Sequence, residues 1–155
     1  MGNKTPKMRH VQYFNTLITN RPNEKKQYEV IVYDYLLTRY RFMTQIELYD
    51  FYLVDYHLFV EVDEEHHFQS DRSVARAKVT ESDQKKNVAC ITKPVSLLRI
   101  PWFTVKSGVF DYYVTKCLQV LSKYPIGTLF LASKDIYTNH DMIDGIDPLK
   151  IVHLQ

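Results

Sequence analysis

A chain of 155 residues with 45% apolar and 25% charged residues has the composition of one globular domain, which excludes a disordered or fibrous protein. Its net charge of only +2 excludes a grossly basic nucleic-acid binder, so any electropositive surface must come from local clusters. Such clusters stand at Lys4, Lys7 and Arg9, between Arg72 and Lys78, and at Lys85 and Lys86. Cys90 and Cys117 are too few for a zinc-ligand pattern and read as buried thiols of a reducing compartment. With no apolar secretory stretch and no membrane-length apolar run, the expectation is a soluble intracellular protein, in the cytoplasm or nucleus of its host cell, with no membrane partner.

In chain order, 1–9 reads as a loose basic arm, and 10–20 is ambiguous between strand and helix. Asn20 to Glu24 has the features of a helix start: a capping amide, a proline for the first turn and an acid at the positive end of the dipole. Apolar residues then recur at Tyr28, Ile31, Val32, Tyr35 and Leu36, which predicts a helix over about 22–39. Arg41 to Leu53 is β-branched and aromatic and reads as a first strand, followed by a turn at 54–56. The second strand, 57–63, alternates: Leu58, Val60 and Val62 face one way, Phe59, Glu61 and Asp63 the other. A polar loop at 64–70 leads into a charged helix that ends before Pro94. Val95 to Pro101 is a short buried strand, 105–124 an amphipathic helix, and 128–132 a further strand. No pattern assigns the last 20 residues. The expected class is a single α/β domain over 1–155, an antiparallel hairpin followed by a crossover within a mixed sheet flanked by helices.

The acids carry the chemical information. If the strands pair through the turn at 54–56, Asp50 lies near Glu61. Alternation places Glu61 and Asp63 on one side, roughly 6.5–7 Å apart. Clustered carboxylates repel unless a raised pKa or a cation relieves them, and a hard divalent ion with oxygen ligands does so naturally. His66 and His67 follow the acidic strand, with chemistry suited to proton transfer or phosphate contact. Lys85, Lys86 and Arg99, with Arg72 and Arg76 before them, are candidate phosphate contacts, and Glu29 on the first helix is a candidate further ligand. Plainer readings stand beside these. The run 62–67 reads equally as an exposed acidic loop, Lys85 and Lys86 as a solvated helix face, and the aromatics at 49, 51, 52, 56 and 59 as sheet packing. Zinc suits His66 and His67 poorly, because adjacent side chains diverge.

The run from Tyr49 to Phe68, with its Asp50-Phe51-Tyr52-Leu53-Val54-Asp55-Tyr56 opening and its Glu61-Val62-Asp63 and His67-Phe68 close, resembles the very-short-patch-repair-like branch of the PD-(D/E)XK nucleases. Phage-borne and homing endonucleases belong to that branch. The resemblance continues through Asp83-Gln84-Lys85-Lys86-Asn87 and Leu97-Leu98-Arg99-Ile100-Pro101-Trp102, covering about 24–103. Val54 stands where the family carries proline, and Glu64 where it carries glycine.

What the resemblance implies is a restriction-endonuclease-like three-layer core and a Mg²⁺-dependent endonuclease, Mn²⁺ substituting, that hydrolyses DNA phosphodiester bonds. It implies Asp50 and Glu61 as metal-binding carboxylates, with the Val62 carbonyl as a further ligand. Asp63 takes the position where many relatives carry lysine, His67 matches the branch histidine, Lys86 the helix lysine and Glu29 the first-helix glutamate. Two alternatives stay open: an inactive nuclease-fold module that binds DNA or protein, and an RNA-directed nuclease of the same fold. Oligomeric state is open, a monomer being the simplest arrangement for one site in a small domain.

Overall fold

The computed structural model describes residues 20–47, 49–68, 74–93, 95–133, 136–137 and 141–155; the side chains of 66, 67, 74–80 and 141 lie outside that description. The elements are α1 (Gln27–Leu37), β1 (Phe42–Ile46), β2 (Tyr49–Leu53), β3 (Leu58–Asp63), α2 (Val74–Thr92), β4 (Ser96–Pro101), α3 (Trp102–Lys106), α4 (Phe110–Val120), β5 (Leu129–Ala132) and β6 (Ile151–Leu154). The strands form one six-stranded sheet in the order β1 to β6. The first three run antiparallel, and β3 to β6 run parallel. The α/β mixed sheet flanked by helices is therefore the expected architecture.

Alternation along the strands builds two cores. On one face Phe51, Leu58, Val60, Val62, Leu98, Ile100 and Phe130 meet Val32 and Leu36 of α1, Val105 of α3 and Val114 of α4. On the other, Phe59, Leu97, Leu129 and Leu131 meet Cys90 of α2, Tyr137 and Met142. β3 and β4 are buried along their whole length, as expected for the middle of a sheet covered on both sides.

Four boundaries differ from the sequence reading. The first helix begins at Gln27 rather than near 22, with Lys26 and not Asn20 at its cap position. The segment 41–53 is two antiparallel strands, Phe42 facing Leu53 and Ile46 facing Tyr49, rather than one. Glu47, at φ +50°, begins the reversal between them, a left-handed conformation that this residue type does not announce. The helix expected over 105–124 is broken between α3 and α4 at Gly108, which takes φ +78° with its N–H on the Val105 carbonyl. β6 adds a strand in the stretch left unassigned. The readings of 1–9 and 10–19 lie outside the described residues.

Two residues read as site candidates belong to the core instead. Arg99 is fully buried, so it cannot meet a phosphate at the surface. Its Nε donates to Asn87 Oδ1 (2.8 Å), one Nη to Asp63 Oδ1 (2.7 Å) and the other to the Asp83 carbonyl (3.1 Å). Asp63, also fully buried, accepts from Tyr137 Oη at its second oxygen (2.7 Å). Both Asp63 oxygens are thus engaged by buried side chains. Burial pulls the Arg99 pKa down, but Asp63, Asp83 and Glu61 outweigh it and hold the guanidinium charged. This cluster ties β3, β4 and α2 to Tyr137 and to Met142, whose carbonyl accepts from Asn87 Nδ2.

Removing one member of a buried ion pair strands the other charge. Arg99→Ala is therefore expected to lower unfolding free energy by about 3–5 kcal/mol. Lys85→Ala, which removes an exposed pair with Glu81, should change it by less than about 1 kcal/mol. Urea denaturation of the two variants checks this, and equal midpoints would contradict it.

Candidate metal centre

Asp50 is the second residue of β2, one step beyond the Phe51–Val60 pair, which brings it opposite Glu61. Two hydrogen bonds fix the arrangement. Asp50 N–H donates to Glu61 Oε1 (2.7 Å), and Val62 N–H donates to Asp50 Oδ2 (2.9 Å). Each carboxylate is held by the backbone of the strand that carries the other. The Asp50 amide is available because the β1–β2 ladder skips it: its register partner, Gln45, has φ +53° and leaves the pairing. Gln45 instead donates from Nε2 to Glu29 Oε2 (3.3 Å).

These residues line one cavity of about 560 Å³. Asp50, Glu61 and Val62 form part of its wall, with Glu29 and Tyr28 from α1, Lys86 from α2, Glu64 and Glu65 after β3, and Lys25 and Lys26 just before α1. Lys86 Nζ lies 2.9 Å from Glu61 Oε2, so both oxygens of Glu61 have donors. Asp50 Oδ1 has none among the described residues. Burial, then the nearby Glu61 and Glu29, push the Asp50 carboxyl well above its usual range, against the opposing pull of the Val62 amide and Lys86. Burial also raises Glu61, with Lys86 and Arg99 pulling it back.

Of the residues singled out in the sequence, Asp50, Glu61, Val62, Glu29 and Lys86 converge here. Lys85 is exposed, pairs with Glu81 at 3.1 Å, and lines an adjoining cavity of about 190 Å³ with Lys86, Tyr49 and Phe59. His67 lies in the 3₁₀ turn Glu65–Phe68 directly after β3, its side chain outside the described residues. Arg72 lies outside them altogether, and of Arg76 only the helical backbone is described. Glu64, at the position where glycine was expected, does not take a left-handed backbone, so glycine is not required there. Lys25, Lys26 and Tyr28 were missed as cavity residues. Nothing in a Lys-Lys pair at a helix start marks it as facing acids that lie far along the chain.

Among the described residues, no three His, Cys, Asp or Glu side chains are grouped so as to cage a metal ion. The donors nonetheless suit one type of ion. Two close carboxyls, one with an oxygen that has no donor among the described residues, form an all-oxygen donor pair. Mg²⁺ is commonly held by one or two carboxylates while keeping several waters, so Asp50 and Glu61 are the residues that could hold one, where zinc would need more ligands. No helix among the described residues is long and apolar enough to cross a membrane. Comparison with protein-family models, with curated proteins and with solved structures gives no match.

The raised carboxyls give the metal-free protein a pH signature. A carboxyl whose folded pKa exceeds its unfolded value binds more protons in the native state. Its contribution is favourable below the unfolded pKa and is lost as pH rises through the folded one. Asp50→Asn removes that loss, so its stability relative to the parent should increase as pH rises above about 4 in chelator. Urea titrations across this range test it; a constant difference between the two proteins would contradict the raised Asp50.

Proposed function

We propose that this chain is a metal-dependent endonuclease that hydrolyses phosphodiester bonds of DNA, with Asp50 and Glu61 holding Mg²⁺ or, in its place, Mn²⁺. One observation carries the reading: two carboxylates from adjacent strands, each locked by the other strand's backbone, share a cavity with Glu29 and Lys86. A divalent ion at such a pair supplies water activation and charge neutralisation at a phosphoryl group. The protein's own parts have separate tasks. The Val62 and Asp50 amides orient the two carboxylates before substrate arrives, which removes reorganisation from the reaction. Lys86 offsets the negative charge of Glu61 and is within reach of an oxygen bound beside it. Glu29, buried and braced by Gln45, adds negative potential that favours a cation over a free acid pair. His67, in the turn leaving β3, is the proposed proton-transfer or phosphate-contacting residue. The membership in the very-short-patch-repair-like nuclease branch suggested by the ordered motifs is part of this proposal, as are DNA as partner and an intracellular location.

A second reading has one observation in its favour. Lys86 already satisfies an oxygen of Glu61, as it would in a nuclease-fold module that has lost catalysis and only binds DNA or protein.

Purified protein with supercoiled plasmid and Mg²⁺ separates the two. The parent should nick or cut. Asp50→Asn and Glu61→Gln should each lose roughly three orders of magnitude in rate, the equivalent of several kcal/mol of metal-supplied stabilisation. Lys86→Ala should lose roughly two, in the range of one charge-stabilising donor. Variants that cut as well as the parent refute the site assignment. A parent inert with both Mg²⁺ and Mn²⁺ supports the second reading.

A further inference from the structure

We infer that the lip of the cavity formed by Lys25, Lys26, Tyr28, Trp102 and Lys106 binds an unpaired DNA strand, so that the substrate is single-stranded or carries a single-stranded segment beside the cleaved bond. The inference rests on the nuclease reading of the adjoining carboxylates and specifies its substrate class.

The lip is continuous with the site. Lys25, Lys26 and Tyr28 line the same cavity as Asp50 and Glu61. The Tyr28 ring packs against Trp102 with centroids 5.9 Å apart, and Lys106 Nζ lies 5.8 Å from the centre of the Trp102 ring. Phe103 meets the same indole edge-on at 5.9 Å. Trp102 begins α3 directly after Pro101, the β4 residue paired with Asp63 at the carboxyl end of β3. That places the aromatic group at the carboxyl ends of two adjacent parallel strands, the side of an open α/β sheet where ligands bind.

Charge and chemistry agree on the occupant. Lys25, Lys26 and Lys106 are exposed and have no carboxylate partner among the described residues, as is also true of Arg39 and Lys123 elsewhere on the surface, while Arg41, Lys85, Lys86 and Lys93 each pair with an acid. Three cations without acid partners among the described residues thus flank the Tyr28–Trp102 pair in a protein whose net charge is only +2. Between them Tyr28, Trp102 and Phe103 are only partly buried, so ring surface remains accessible. Cations that follow a phosphate backbone, interleaved with rings on which bases stack, are the two components of single-strand binding. A duplex keeps its bases stacked inside and would use only the lysines.

Trp102 is the chain's one tryptophan, so its fluorescence reports this surface alone. The full chain in EDTA, which prevents metal-supported cleavage, is titrated with an oligothymidylate of roughly 12 nucleotides and with a duplex of equal length. The expected result is saturable quenching by the single strand and much weaker quenching by the duplex. Lys25→Ala/Lys26→Ala should bind at least about five-fold more weakly, with a log–log salt slope flatter by about 1.4, the value for two lost phosphate contacts on a single strand. Trp102→Ala, followed by the anisotropy of a labelled oligonucleotide, should weaken binding about ten-fold. No quenching, equal quenching by duplex, or an unchanged double-lysine variant overturns the inference. Cleavage by the parent in Mg²⁺ is scored separately. Cutting without quenching removes the surface and leaves the nuclease; quenching without cutting supports the surface and removes the nuclease.

Discussion

The candidate site depends on a reciprocal pair of backbone-to-carboxylate hydrogen bonds between β2 and β3. Asp50 N–H holds Glu61, and Val62 N–H holds Asp50. Both carboxyls are pushed up chiefly by burial, and Asp50 further by the neighbouring Glu61 and Glu29. A fold aiming only at stability would separate them or replace one. Here the ladder is interrupted at Gln45 to free the Asp50 amide, and the lost strand pairing is redirected into orienting an acid. The result is a buried pair of acids with fixed orientation, Glu61 partnered by Lys86 and Asp50 keeping one oxygen without a donor among the described residues.

A second network makes this possible from beneath. Glu61, Asp63 and Arg99 share one face of the sheet, with Glu61 and Arg99 side by side in the β3–β4 register. Arg99 grips α2 through Asn87 and the Asp83 carbonyl, and so fixes the helical turn from which Lys86 reaches Glu61. Asp63 and Arg99 are then better understood as the foundation of the site than as members of it. The same two acids of β3, alternate in sequence, meet opposite conditions. Glu61 borders a cavity and pairs with Lys86, whereas Asp63 is enclosed, paired with Arg99 and hydrogen-bonded by Tyr137.

Much of this was legible in the chain, for reasons that can be named. The alternation of 58–63 fixed which side chains face each core, and the short turn at 54–56 set the register that brings Asp50 to Glu61. Glu29 was readable as inward-facing only because the helical stripe of α1 fixed its face. What escaped was long-range or left-handed. The reversal at Glu47 uses a positive φ without glycine or asparagine, so one strand was read where two exist. Arg99 looked like a phosphate contact because sequence carries no burial, and its partners come from two distant elements, Asp63 of β3 and Asp83 and Asn87 of α2. Lys25 and Lys26 join the cavity only through the packing of α1 on the sheet.

The central claim, one divalent ion shared by Asp50 and Glu61, is tested most directly by titrating the metal-free protein with Mn²⁺ in a calorimeter. The account predicts a single saturable site with protons released on binding, since the raised carboxyls must ionise to act as ligands. It also predicts that replacing either acid by its amide abolishes that site. Absence of binding in the parent, or a site that survives both replacements, would contradict it.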